Sequence, residues 1–163
     1  MRTALLALAL LLPTSADARD LRESVGLGFS NQFSSVSALS ARYHLPTRSS
    51  TVRIGVEATA GFSLMMPSSA QTTYNGWFTG ARVLYGLVAE DNMTLYAAAG
   101  AGFTSSAGDQ AMRLQPALGA EFFLYGLENL GFSTEWGVNI DLAKTTRVDT
   151  ISGGPAVAVH YYF

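Results

Sequence analysis

Residues 151–163 read I-S-G-G-P-A-V-A-V-H-Y-Y-F, and their parity decides the fold. Ile151, Gly153, Pro155, Val157, Val159, Tyr161 and Phe163 fall on one side, while Ser152, Gly154, Ala156, Ala158, His160 and Tyr162 fall on the other. A period of two with one bulky apolar face and one small or polar face marks a strand between two different environments.

Moving outward from that stretch, the same alternation recurs, so that eight strands are expected: Glu23 to Phe33, Val36 to Leu45, Thr51 to Phe62, Gly76 to Val88, Asn92 to Phe103, Met112 to Tyr125, Leu130 to Leu142 and Ile151 to Phe163. They are longer than ordinary globular strands and match the span a tilted strand needs to cross hydrocarbon. Alanine-rich Leu95 to Ala101 would tolerate a helix, but Gly100, Gly102 and the alternation of Met93, Leu95, Ala97 and Ala99 favour strand. Tight turns at 46–50, 89–91 and 126–129 alternate with longer connections at 63–75, 104–111 and 143–150, and only the connection near Ser34 and Ser35 breaks the pattern. An even number of strands with both chain ends on the tight-turn side describes an antiparallel up-and-down barrel.

Volume decides which face is inside. Val25, Leu27, Phe29, Leu39, Tyr43, Val56, Trp77, Val83, Leu118, Phe122 and Trp136 share one phase, and Gly26, Gly28, Gly55, Gly80, Gly100, Gly119, Gly131, Gly137, Ala156 and Ala158 the other. The interior of an eight-stranded barrel is only just wide enough for side chains. The bulky phase must therefore face out, where lipid covers it. A soluble binding barrel, the competing class, would have to hold that bulk inside. On the outward phase Tyr43, Tyr85, Phe122, Phe132, Tyr161 and Phe163 fall near the tight turns, and Phe29, Phe62, Trp77 and Phe103 near the long connections, as two interfacial girdles.

Composition agrees. The 163 residues carry 13% charged side chains, and past the N-terminus no apolar run reaches the roughly 18 residues of a membrane helix. A formal charge of −2 offers no basic stripe for nucleic acid, and the absence of cysteine excludes disulfides and thiolate metal sites. Residues 1–18, with Arg2, the apolar run Ala4 to Leu12 and the small-x-small end Ala16-Asp17-Ala18, read as a secretory signal peptide; residues 19–163 form the barrel.

The charges that remain lie on the small-residue phase. Arg42, Glu57, Arg82, Glu121, Glu135 and His160 fall at similar distances from the tight-turn ends and are expected to meet at one level of the lumen as an ion-paired plug. Arg53, Arg113, Asp141 and His44 share that phase. Crowded carboxylates beside a histidine could instead serve general acid/base catalysis. No catalytic residue is assigned, because Ser30, Ser40 and Ser133 carry no nucleophile motif, and two histidines on separate strands give no metal spacing. No cofactor is expected.

With these features together, the chain resembles the small bacterial outer-membrane barrels of the OmpA membrane domain, OmpX and OmpW kind, and its aromatic last strand resembles the strand read by their assembly machinery, with Tyr161 and Phe163 as the signal. The resemblance implies a place in the bacterial outer membrane, contact with its lipid and lipopolysaccharide, and handling by periplasmic chaperones and the barrel-assembly machinery. It does not imply one activity; the role expected here is structural or surface recognition, with a lipid A-modifying enzyme or a narrow porin-like channel as alternatives. Met65, Met66, Pro67 and Tyr74 in the longest connection are the expected contacts for a surface partner.

Overall fold

The computed structural model describes residues 20–33, 37–48, 52–64, 75–106, 109–151 and 155–163. They form β1 (Val25–Ser30), β2 (Ala38–His44), β3 (Ile54–Leu64), β4 (Asn75–Ala89), β5 (Met93–Ser106), β6 (Asp109–Phe123), β7 (Leu130–Leu142), β8 (Arg147–Thr150) and β9 (Ala156–Tyr162). Each strand from β1 to β7 pairs antiparallel with the next, β7 pairs with both β8 and β9, and β9 returns to β1. The sheet is therefore a closed, eight-stranded antiparallel barrel whose last stave is built from two pieces. Gly26 pairs with Tyr162, which puts the start of β1 and the end of β9 at the tight-turn end.

Leu95 to Ala101 lies within β5, so alternation outweighs alanine's helix propensity there. Other expectations are corrected. The connections placed at 104–111 and 143–150 contain strand: 104–106 and 109–111 belong to β5 and β6, with Ser106 paired to Asp109, and the second half of 143–150 is β8, paired with Val138 to Asp141. The last stave starts at Arg147 rather than Ile151 and breaks before Pro155, which has no N–H to donate to a ladder. Across that break the phase changes, and Ile151, assigned to the outward face, is buried among Ala98, Ala117 and Ala156. The first strand ends at Ser30 instead of running to Phe33; Gln32 and Phe33 turn into the lumen, where Phe33 meets Phe78 edge-on at 4.9 Å. The second is shorter than Val36 to Leu45. Residues 1–19, 34–36, 49–51 and 65–74 hold the signal-peptide assignment, parts of three connections and the contacts Met65, Met66, Pro67 and Tyr74, and lie outside the described residues.

The bulky phase faces out. Trp136 is 72% exposed and its register partner Leu118 63%, whereas Arg42, Glu57, Arg82, Glu121 and Glu135 are each at most 3% exposed. One irregularity interrupts the alternation: the register with β5 shifts between Gly86 and Val88, and Leu87 and Val88 both point outward, as at a β-bulge.

Layers fill the interior. The ionic groups occupy the middle, with Ser133 level by register with Glu121, and Gln32, Gln115 and Asn139 lie buried toward the long-connection end. Leu21, Phe123 and Tyr162 form an apolar cluster at the tight-turn mouth. Leu21 is carried there by a turn in which Ser24 N and Oγ donate to the Leu21 carbonyl, at 3.1 and 2.5 Å. Just outside, Arg22 donates to both oxygens of exposed Asp20 and holds that carboxyl down at about 2.

Candidate functional site

The lumen cluster begins with strand register. Arg42 pairs with Glu57, and Glu57 pairs with Arg82, so three inward positions on β2, β3 and β4 carry charges of alternating sign side by side. Opposite charges on directly opposed residues attract, and here the pairs are sealed from water. Arg42 Nη2 lies 2.6 Å from Glu57 Oε2, and Arg82 Nη2 lies 3.1 Å from the same oxygen. From the far wall, β6 and β7 supply the other carboxylates: Arg42 Nη1 reaches Glu121 Oε1 at 2.8 Å, and Arg82 Nη1 reaches Glu135 Oε2 at 2.5 Å. The structure thus brings five of the six expected lumen residues into one connected chain, and His160 joins it through Ser40.

Each carboxylate also accepts from one hydroxyl. Ser40 Oγ donates to Glu57 Oε1 at 2.9 Å, Tyr162 OH to Glu121 Oε1 at 2.6 Å, and Tyr96 OH to Glu135 Oε1 at 2.7 Å. Arg82 Nη2 donates further to Gln32 Oε1 at 2.7 Å, while Gln115 Nε2 donates to the Gln32 carbonyl at 2.7 Å and to Asn139 Oδ1 at 2.8 Å. Desolvating five ions is costly, and near-complete hydrogen bonding is what offsets it. Among the described residues, the buried polar side-chain atoms without a partner are Thr59 Oγ1, Arg82 Nε and His160 Nδ1.

The remaining charges sit apart. Arg113 makes a fork to Asp141 at 2.6 and 2.7 Å near the long-connection end, and Arg53 donates to Thr94 near the tight-turn mouth.

The arrangement is poorly suited to catalysis. Ser40 stands between Glu57 and His160, and its single proton goes to the carboxylate; His160 Nε2, 2.8 Å away, must then donate to Ser40 Oγ instead of accepting from it. A nucleophile needs the reverse, with the histidine taking the serine proton. Ser30 Oγ accepts from Gln32 N at 3.1 Å and Ser133 Oγ from Gln32 Nε2 at 3.1 Å. Among the described residues no three His, Asp or Glu side chains are placed to share a metal ion. The cavity beside Glu121, between Leu21, His44, Arg53, Thr94 and Tyr96, is about 20 Å³, room for about one water.

Tyr96, Tyr162, Gln32 and Gln115 were not singled out from the sequence, although all four share the parity of the small-residue phase. The bulk of the two tyrosines fits because glycines face them. A Cβ on Gly26 would lie 2.6 Å from the Tyr162 ring, and one on Gly119 would lie 2.5 Å from Tyr96 and 2.7 Å from Glu135. Gly119→Val should therefore lower stability by about 1–3 kcal/mol despite valine's better strand propensity. Gly55→Ala, whose nearest contact would be 3.5 Å, should leave the urea midpoint of the refolded protein nearly unchanged.

The expected girdle residues lie on the outside. Tyr43, Tyr85, Phe122, Tyr161 and Phe163 are exposed toward the tight turns, with Phe132 half-buried and stacked on Phe122 at 5.8 Å. Phe62, Trp77 and Phe103 are exposed at the other end; Phe29, level by register with Leu39 and Ala60, stops short of Phe62.

No known family and no curated protein matches the chain. Among solved structures, it is similar to the crystal structure of Ail, the attachment invasion locus protein of Yersinia pestis, at 14% identity and a TM-score of 0.45, over 86% of this chain and 95% of that one. The likeness is weak, and the architecture above rests on this chain's own strand pairing.

Proposed function

We propose that the protein is an integral barrel of the bacterial outer membrane, with a structural or surface-recognition role and a lumen that does not conduct. The observation that carries this reading is the inversion of the two faces: Trp136, Leu118, Phe62 and Phe103 are exposed around a closed barrel while five ionised side chains fill its middle. A continuous apolar exterior of this kind is stable in hydrocarbon and a liability in water. The ion pairs, the amide layer of Gln32, Gln115 and Asn139, and the Leu21, Phe123 and Tyr162 cluster at the mouth together support a plug. Recognition would fall to the long connections, whose sequence includes Met65, Met66, Pro67 and Tyr74. Lipid and lipopolysaccharide would be the constant partners of the wall, with Tyr161 and Phe163 presented to the assembly machinery.

The test is fractionation of cells making the protein, with gel mobility before and after heating. The protein should stay with the outer membrane after carbonate extraction and shift on heating; release into the soluble fraction would overturn the membrane assignment. In planar bilayers the folded protein should give no stepwise currents, and reproducible single-channel steps would overturn the plug.

A further inference from the structure

The turn between β6 and β7 differs from the other tight turns. At the β2–β3 turn, Thr47 and Arg48 are polar, and Arg22 Nη1 reaches the Thr47 carbonyl at 3.3 Å. The β4–β5 turn presents Glu90, Asp91 and Asn92. Between β6 and β7 the chain instead reads Leu124-Tyr125-Gly126-Leu127-Glu128-Asn129, with Tyr125 fully exposed, Leu124 and Leu127 at 47% and 49%, and the polar Glu128 and Asn129, also exposed, confined to the side that leads into β7.

Backbone geometry fixes that display. Leu127 N donates to the Leu124 carbonyl at 2.9 Å, and Gly126, at φ +82°, occupies the third position of the turn, which needs the left-handed conformation. Tyr125 is thereby held at the tip. A second turn, Leu130 N to the Leu127 carbonyl at 2.9 Å, brings the chain back into β7.

The apolar turn is continuous with the wall. Leu124 is the next outward position after Phe122, so no polar side chain separates them along that strand. Across the sheet, Asn129 Nδ2 donates to Tyr161 OH at 3.4 Å, and Tyr161 meets Phe163 edge-on at 5.1 Å.

We infer that Leu124, Tyr125 and Leu127 form an interfacial anchor, inserted into the headgroup and upper acyl layer of the leaflet on the tight-turn side, so that the membrane boundary lies farther along the barrel at β6, β7 and β9 than at β2 to β5. This rests on the wall being in lipid. Tyrosine and leucine suit that layer, where one end of a side chain is wet and the other apolar. The polar turns at Arg48 and at Glu90 and Asp91 remain in water. The occupant is the lipid surface, because the patch runs on from the lipid-facing wall.

Tryptophan fluorescence tests both levels separately. The chain has two tryptophans, Trp77 and Trp136. Trp77→Phe leaves Trp136 as a reporter of the wall. Trp77→Phe/Trp136→Phe combined with Tyr125→Trp reports the turn, and the same pair combined with Glu90→Trp reports a polar turn. Each protein is refolded into phosphatidylcholine vesicles brominated either near the headgroup or deep in the chains, and folding is verified by heat-modifiable mobility. Trp136 should be quenched best by deep bromine. The Tyr125→Trp protein should emit at shorter wavelength than the Glu90→Trp protein and be quenched best by shallow bromine. If the Tyr125→Trp protein emits like the Glu90→Trp protein and resists quenching, the anchor is wrong and that surface faces water, free for a protein. If Trp136 in folded protein also escapes deep bromine, the lipid-facing wall itself falls.

Discussion

Replacing Arg82 with methionine should lower the unfolding free energy of the refolded protein by about 3–5 kcal/mol, the cost of removing one partner from a buried ion network. Arg82 bridges Glu57 and Glu135 and also donates to Gln32, so its loss strips the guanidinium from Glu135 and one of the two from Glu57. Methionine preserves most of the volume, which separates the electrostatic loss from a packing loss. Arg82→Lys should fall between the two, because a single ammonium cannot reproduce a fork whose Nη1 serves Glu135 while its Nη2 serves Glu57 and Gln32. Urea titration in vesicles, followed by gel mobility, provides the measurement. Equal midpoints for the native protein and Arg82→Met would mean that the ionic layer adds nothing to stability.

On the opposite face of the sheet, Leu118→Arg should cost about 2–4 kcal/mol, the penalty for arginine on the lipid side of a barrel near the bilayer midplane. Leu118 is 63% exposed and lies beside Trp136 in mid-wall, midway between the girdles. In water, such a change at an exposed position would stay within about 0.5 kcal/mol. The substitution thus distinguishes the two solvents by the size of the effect: a full penalty in vesicles places this face in hydrocarbon, and a neutral result places it in water. Pairing the two experiments is informative, because Arg82 probes the inside of the barrel and Leu118 the outside of the same sheet.

Much of the candidate site was legible because parity is a local property. In a strand, the side of the sheet on which residue i lies fixes that of i+2, so Arg42, Glu57, Arg82, Glu121 and Glu135 could be placed on one face without knowing which strands touch. The Arg42, Glu57 and Arg82 row follows once neighbouring strands are joined by turns. The approach of Glu121 to Arg42 and of Glu135 to Arg82 does not, since those residues are 79 and 53 positions apart and meet only across the lumen. Phe33, expected at the end of the first strand, and Ile151, expected on the apolar face, depart from expectation for a related reason. Parity holds only while the chain remains extended, and both residues sit where a strand has ended or broken, beyond Ser30 and before Pro155.

The sequence by itself determined the period-two pattern, the inward and outward sets, and hence a barrel with a polar middle and an apolar exterior, because those depend on side-chain alternation and on how little volume a narrow barrel encloses. Tertiary structure alone decided which carboxylates Arg42 and Arg82 meet, that each of the three lumen glutamates, Glu57, Glu121 and Glu135, receives a hydroxyl, and that Gly26 and Gly119 leave room for Tyr162 and Tyr96. Those are contacts between walls, and they exist only after the sheet has closed and fixed the distance across it.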